Sequence, residues 1–232
     1  MKPIDVNNQI QSTWDTIASS FDKTRKNPWK PCTKFIQRLP KSSIVGDFAC
    51  GNGRHTIEIM SHCSHVIGID ISRNFLTIIK EKIEIYDSID LIHGTLINVP
   101  LSDECLDAIL CIAAIHNIPS KKNRLLSLTE IYRVLKPNST ALISLWAKDQ
   151  EKFKDARTTL NNQATQQLIT EAGDVFIYWN QDNLHVPRFY HLYEKEEIIN
   201  ELKTVGFNIL SIQEVKISTK NKPDNYFITV IK

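Results

Sequence analysis

Apolar positions along this chain recur at two periods, and the alternation between them predicts strands separated by helices. Ile10, Trp14, Ile17 and Phe21 stand at helical spacing around residues 8–20, so an amphipathic helix precedes the first strand. Cys32–Leu39 follows as a second, short helix. Buried strands are expected at Ile44–Phe48, Val66–Asp70, Leu91–Gly94, Asp107–Ile112 and Ala141–Trp146. The run Asp107–Ile112 is continuously apolar, as a central parallel strand covered on both faces requires.

Three helices fill the gaps. One starts at Arg54. One runs from an N-cap at Ser72 through Tyr86, with Phe75, Leu76, Ile79 and Ile83 as its apolar face. One covers residues 121–135, placing Leu125, Leu128, Ile131 and Leu135 on one side, and is stopped by Lys136-Pro137. Ala147–Val186 is polar and poorly periodic and reads as an insertion. Glu194–Val205 is a helix ended near Gly206, and Asn208–Lys216 with Tyr226–Ile231 forms a closing antiparallel hairpin. The expected fold class is α/β: a doubly wound, seven-stranded, mostly parallel sheet with N-terminal helices and an insertion after strand five.

Chemistry enters at Val45-Gly46-Asp47-Phe48-Ala49-Cys50-Gly51-Asn52-Gly53, where a strand meets an acid and then a turn on two glycines. Gly51 and Gly53 lack the β-carbons that would hinder a sharp turn and a close ligand approach, and the helix behind them offers free amide donors. Asp70 ends the next strand, seventeen residues beyond Gly53. That is about where a nucleotide-binding α/β unit places the acid that accepts from ribose hydroxyls. A dinucleotide site wants a third glycine where this chain has Thr56. Asp47, inside the turn, would repel a pyrophosphate and suit an ammonium group, which points to S-adenosyl-L-methionine.

Composition narrows the setting. A length of 232 residues suits one domain, and 28 basic against 26 acidic side chains leave a net charge of +2, which does not announce a nucleic-acid binder. Five cysteines without a C-x-x-C pair suggest neither a disulfide framework nor a zinc site, so no metal is expected and a reducing cytosol is the natural setting, with the nucleus as a second compartment. The N-terminus does not read as a signal peptide, and the longest apolar run, Ala108–Ile115, is too short to cross a bilayer. His62, His65 and His93 are assigned no function, and the cysteines are core fillers. In Phe21–Pro31 four basic residues interleave with Trp29 and two prolines, a composition that serves a linker or a ligand-facing loop.

Several segments together carry a resemblance. Asp47–Gly53 and Asp70 resemble motifs I and II of class I, Rossmann-like methyltransferases. Ile112-Ala113-Ala114-Ile115-His116-Asn117, Arg133-Val134-Leu135-Lys136-Pro137, Leu142–Ala147, Thr24-Arg25, Val186–Tyr193 and Asp224-Asn225-Tyr226 resemble the tRNA wobble-uridine methyltransferases that esterify 5-carboxymethyluridine. The chain departs from that family at Asn117, where a second histidine is usual, at Asn138-Ser139, where a glycine pair is usual, and at Thr95, where an acid is usual.

The resemblance implies a single domain over 1–232. It divides into an N-terminal helical substrate segment (1–40), a cofactor-binding core (41–146), an insertion and substrate segment (147–190), and a closing helix and hairpin (191–232). It implies S-adenosyl-L-methionine held by Asp47, Ala49, Cys50, Gly51, Asn52, Gly53, Asp70, Ile71, Gly94, Thr95 and Ile112. Arg25, His116, Asn117 and Arg188 are the implied catalytic residues, with Lys23, Arg25, Trp29, Trp146, Arg188 and His191 on the substrate. The implied partners are a tRNA anticodon loop and a small zinc-binding activator subunit in a heterodimer, with no membrane. A small-molecule methyltransferase and a non-catalytic cofactor-binding subunit are the competing readings.

Overall fold

The computed structural model describes residues 6–83, 87–150, 168, 171–218 and 221–232. Two helices, α1 (Val6–Thr24) and α2 (Lys30–Ile36), precede β1 (Ile44–Phe48). The core then alternates α3 (Arg54–His62), β2 (His65–Asp70), α4 (Arg73–Lys82), β3 (Ile89–His93), β4 (Leu106–Ile112), α5 (Lys121–Val134) and β5 (Leu135–Trp146). A hairpin, β6 (Asp174–Trp179) and β7 (Val186–His191), is followed by α6 (Lys195–Val205), β8 (Asn208–Val215) and β9 (Asn225–Ile231).

Seven of the described strands form a sheet in the order β3-β2-β1-β4-β5-β9-β8, in which β9 alone runs antiparallel to its neighbours, and β6 and β7 form a separate two-stranded sheet. The strand order reverses between β1 and β4, so a crevice opens above their carboxyl ends. Two buried clusters sandwich the sheet: Phe48, Ile109, Ile131 and Ile143 lie in one, and Val45, Ile79, Leu110 and Leu142 in the other. Neighbours along one strand thus enter opposite layers, as the two-residue period of a strand requires. Among the described residues, no helix is long and apolar enough to cross a membrane.

Three expectations need correction. The helix from Ser72 ends at Lys82, with Ile83 extended, and residues 84–86 lie outside those described. The helix over 121–135 ends at Val134, and Leu135 opens a strand that carries Lys136-Pro137 within it. Pro137 is tolerated there because the β4–β5 register shifts between Leu106 and Ala108, a bulge that leaves the proline no ladder bond to break.

The third concerns the stretch 147–186, which contains β6 and the first residue of β7. Its strand lacks alternation because both faces are packed: Val175, Tyr190 and Leu192 cluster on one side, and Leu168, Phe176 and Phe189 on the other. Residues 151–167 and 169–170 lie outside the described ones.

Candidate active site

The turn after β1 is held in place by Asp70. The Gly51 amide donates to Asp70 Oδ2 and the Ser72 amide to Asp70 Oδ1, both at 2.8 Å, so one carboxylate ties the glycine turn to the start of α4. Burial raises Asp70 to about 6, against the pull of those two amides. Gly53 is required twice over: its φ is +79°, and a β-carbon would sit 2.7 Å from Ile79 Cγ1. Gly51 has φ +55° and nothing within 4 Å of its missing β-carbon, which leaves open space in front of the turn.

That space belongs to a cavity of about 940 Å³ above the strand ends. Of the residues expected around a cofactor, Ala49, Cys50, Gly51 and Asn52 line it from the turn, Asp70 and Ile71 from the end of β2, Gly94 and Thr95 from the end of β3, and Ile112 from the end of β4. Asp47 and Gly53 do not line it. Asp47 is buried beneath the turn and accepts from Thr56 Oγ1 at 2.6 Å, so the expected direct contact with an ammonium group is not available to it. Burial raises it, too, to about 6. The helix α1 closes this half of the cavity: Asn52 Nδ2 donates to Asp22 Oδ1 at 2.9 Å and to the Arg25 carbonyl at 2.8 Å, and Lys82 pairs with Asp22.

The other half is aromatic and cationic. Trp146 and Tyr190 stack with ring centroids 4.5 Å apart and planes 6° from parallel, and His116 packs on both at 5.3 and 5.5 Å. The Trp146 amide donates to His116 Nδ1 at 3.0 Å. Burial, with the nearby His191 and Arg188, lowers His116 to about 3, so the imidazole is neutral at physiological pH. The Arg188 guanidinium lies 5.1 Å from the ring centroids of both Trp179 and Tyr190, and the Arg25 guanidinium lies 5.7 Å from Trp179. Burial and the charge of Arg188 push Arg25 below its ordinary value, so an anion between the two arginines would be stabilised by both.

Lys23, Trp29 and Asn117 also line the cavity, Lys23 through a largely exposed side chain that pairs with Asp182. The sequence reading missed Trp179 and assigned no role to Tyr190 or Asn225. An apolar run at residues 175–179, ending in tryptophan, was the available signal for the first.

A family profile described as a methyltransferase domain matches residues 46–143. The tRNA (carboxymethyluridine(34)-5-O)-methyltransferase alkbh8 of Xenopus tropicalis is 32% identical over 158 residues, which is 68% of this chain and 24% of that protein. The tRNA (carboxymethyluridine(34)-5-O)-methyltransferase of Schizosaccharomyces pombe is 27% identical over 224 residues, covering 88% of this chain and 90% of that one. A solved complex between the Haloferax volcanii Trm112 methyltransferase activator and a methyltransferase superposes with a TM-score of 0.69 at 11% identity, covering 96% of both chains. The chain has the class I methyltransferase fold and matches a methyltransferase domain over 46–143. It spans between a fifth and about a third of the length of the vertebrate relatives that it matches.

Within this methyltransferase fold His191, expected at the substrate, does not line the cavity. Its Nδ1 lies 2.7 Å from Asp174 Oδ1 and its Nε2 lies 3.0 Å from Glu197 Oε1, so it links the β6–β7 hairpin to α6. Arg124, fully buried on α5, holds Glu171 of the same hairpin region at 2.8 Å. Burial alone would lower His191, but the bonds to Asp174 and Glu197 outweigh it and raise the histidine above its ordinary value.

A raised folded-state value means that protonation stabilises the fold. The contribution is complete below the unfolded value near 6.5 and is lost as pH rises through the folded one. Between pH 6.5 and 9 the Tm of the wild type should fall relative to that of His191→Gln. Calorimetry at both ends of that range checks this, and parallel curves for the two proteins would contradict it.

Proposed function

We propose that this protein transfers a methyl group from S-adenosyl-L-methionine to the carboxylate of 5-carboxymethyluridine at the wobble position of tRNA. The observation that carries the reading is the cavity's division into an acidic, glycine-floored half around Asp70 and a half where Arg25 and Arg188 flank Trp179. The names of the Xenopus and Schizosaccharomyces relatives support the same substrate.

The residues present fit the cofactor. Asp70 lines the cavity with a carboxylate whose burial calls for further donors, which ribose hydroxyls would supply, and the space before Gly51 admits a ligand close to the backbone. Bound there, S-adenosyl-L-methionine would supply an electrophilic methyl group and leave as a neutral thioether. Gly94, Thr95 and Ile112 would flank it.

The chain's own task is then positional. A carboxylate with an unperturbed pKa near 4 is already ionised at neutral pH, so no general base is needed. Neutral His116 fits that requirement, because it neither competes for the proton nor repels the guanidinium groups. Arg25 and Arg188 would hold the acceptor carboxylate, offset its desolvation and align one oxygen with the methyl group. Lys23 and Trp29, which also line the cavity, would meet the anticodon loop.

A small zinc-binding activator subunit is part of the proposal. β3 is an outer strand of the sheet, and its free edge suits a partner that completes the ladder. The Haloferax structure, with its activator, supports such a heterodimer.

Nucleoside mass spectrometry of tRNA from cells lacking the gene tests the reading. Accumulated 5-carboxymethyluridine with loss of its methyl ester is expected. An unchanged profile would favour a small-molecule substrate or a non-catalytic role and overturn the proposal.

A further inference from the structure

Four buried side chains lining the substrate half of the cavity carry polar atoms with no hydrogen-bond partner among the described residues: His116 Nε2, Asn117 Oδ1, Arg188 Nε and Asn225 Oδ1. An unpartnered buried polar atom costs about 1–3 kcal/mol, so four at one end of one cavity call for a ligand. They are joined through shared neighbours. Trp146 pairs in register with Asn225, its amide bonds His116, and Tyr190 stacks on both Trp146 and His116 while its hydroxyl accepts from Arg188.

The donor or acceptor character of each atom follows from the bond its side chain already makes. His116 Nδ1 accepts from the Trp146 amide, so the neutral ring carries its proton on Nε2 and presents a donor. Asn117 Nδ2 donates to the Ala113 carbonyl at 2.7 Å, and Asn225 Nδ2 donates to Asp224 Oδ1 at 3.0 Å. Both amides are thereby oriented, and each leaves its oxygen free to accept. Asp224 is itself fixed by the amides of Ile217 and Ser218, at 2.8 and 2.6 Å, so the orientation of Asn225 is anchored on the backbone. The free set is two donors, His116 Nε2–H and Arg188 Nε–H, and two acceptors, Asn117 Oδ1 and Asn225 Oδ1.

A ring presenting carbonyl, N–H and carbonyl in succession complements such a set. Cytosine does not, because its N3 is an acceptor and its 4-position a donor. We infer that this end of the cavity reads the imide edge of uracil, with His116 donating through Nε2–H to a ring carbonyl and Asn117 and Asn225 accepting from N3–H. The inference rests on the methyl-transfer reading above and adds to it the residues that select the base.

The test uses the protein, with its activator if one is required, and three synthetic anticodon hairpins. These carry 5-carboxymethyluridine, 5-carboxymethylcytidine or 3-methyl-5-carboxymethyluridine at the wobble position. Wild type should methylate the first at least about 100-fold faster than the other two, since a site built to hydrogen-bond an edge rejects analogues that leave its groups unpaired. Asn117→Ala and Asn225→Ala should reduce that ratio to roughly ten or less while cofactor affinity, read by calorimetry, stays unchanged. A merely structural role would lower all three rates together and leave the ratio intact.

Comparable rates on all three hairpins with wild type, or a wild-type ratio retained by both variants, would overturn the inference while leaving the methyl-transfer reading in place. No transfer to any hairpin would overturn that reading and the inference with it.

Discussion

Arg188→Ala is expected to lower methyl transfer to tRNA by on the order of 100-fold, with cofactor affinity held within about two-fold. The guanidinium lies against Trp179 and Tyr190 and is 8% exposed, so its hydrogen bonds to a bound carboxylate would form with little competing water. Two charge-assisted bonds at about 1.5–3 kcal/mol each cover a factor of this size. Arg25 does not substitute for it, since its guanidinium lies against Phe21 and Trp179, at 5.7 Å from each ring, and not against Tyr190.

Arg188→Lys keeps the charge but loses the planar fork and the stacking, so it should recover only part of the rate. Rates on tRNA with saturating cofactor, beside a calorimetric titration of the cofactor, check both variants. Full activity in Arg188→Ala would remove the carboxylate-acceptor assignment.

Asp70→Ala should weaken cofactor binding by roughly ten- to a hundred-fold, the equivalent of about 1.5–3 kcal/mol for lost charge-assisted bonds. The change also leaves the amides of Gly51 and Ser72 without their acceptor, so the turn itself loosens. A pH series separates the two effects in the wild type. The bonds from ribose hydroxyls require the ionised carboxylate, and its folded value is about 6. Affinity should therefore be level above pH 7 and fall toward a ten-fold loss per unit once pH drops well below 6, and the fall should vanish in Asp70→Asn. Titrations at pH 5 and pH 8 giving equal affinity would contradict the assignment.

The sign is opposite for folding. Asp47 and Asp70 both have raised folded values, so the unliganded protein keeps their contribution below about pH 3.8 and loses it as pH rises through 6. A donor-rich ligand at Asp70 relieves part of that cost.

The free edge of β3 and the free edge of β8 bound the same sheet, yet they differ in character. β8 is exposed or half-buried along its whole length, whereas β3 begins at buried Ile89. The activator proposed above would pair with the β3 edge, adjacent to the loop that carries Gly94 and Thr95 into the cavity.

The sequence by itself determined the sheet, the glycine turn and the acid at the end of β2. All of these are local: strand periods of two, helical spacings of three and four, and two glycines at positive φ are dictated by neighbours a few residues away. The family resemblance also pointed to Arg25, His116, Asn117 and Arg188, and the structure brings them to one cavity. What the tertiary structure alone decided is which side chains face that cavity. Asp47 and His191 carry the right chemistry at the right places in the chain, but Thr56 takes up the first, and Asp174 with Glu197 the second. Trp179 lay in a stretch that looked irregular because β6 is packed on both faces, and packing on both faces erases the alternation by which a strand is recognised. Asn225 stands 79 positions from Trp146 in the chain and beside it in the sheet; only strand pairing, which no local pattern encodes, makes the two neighbours.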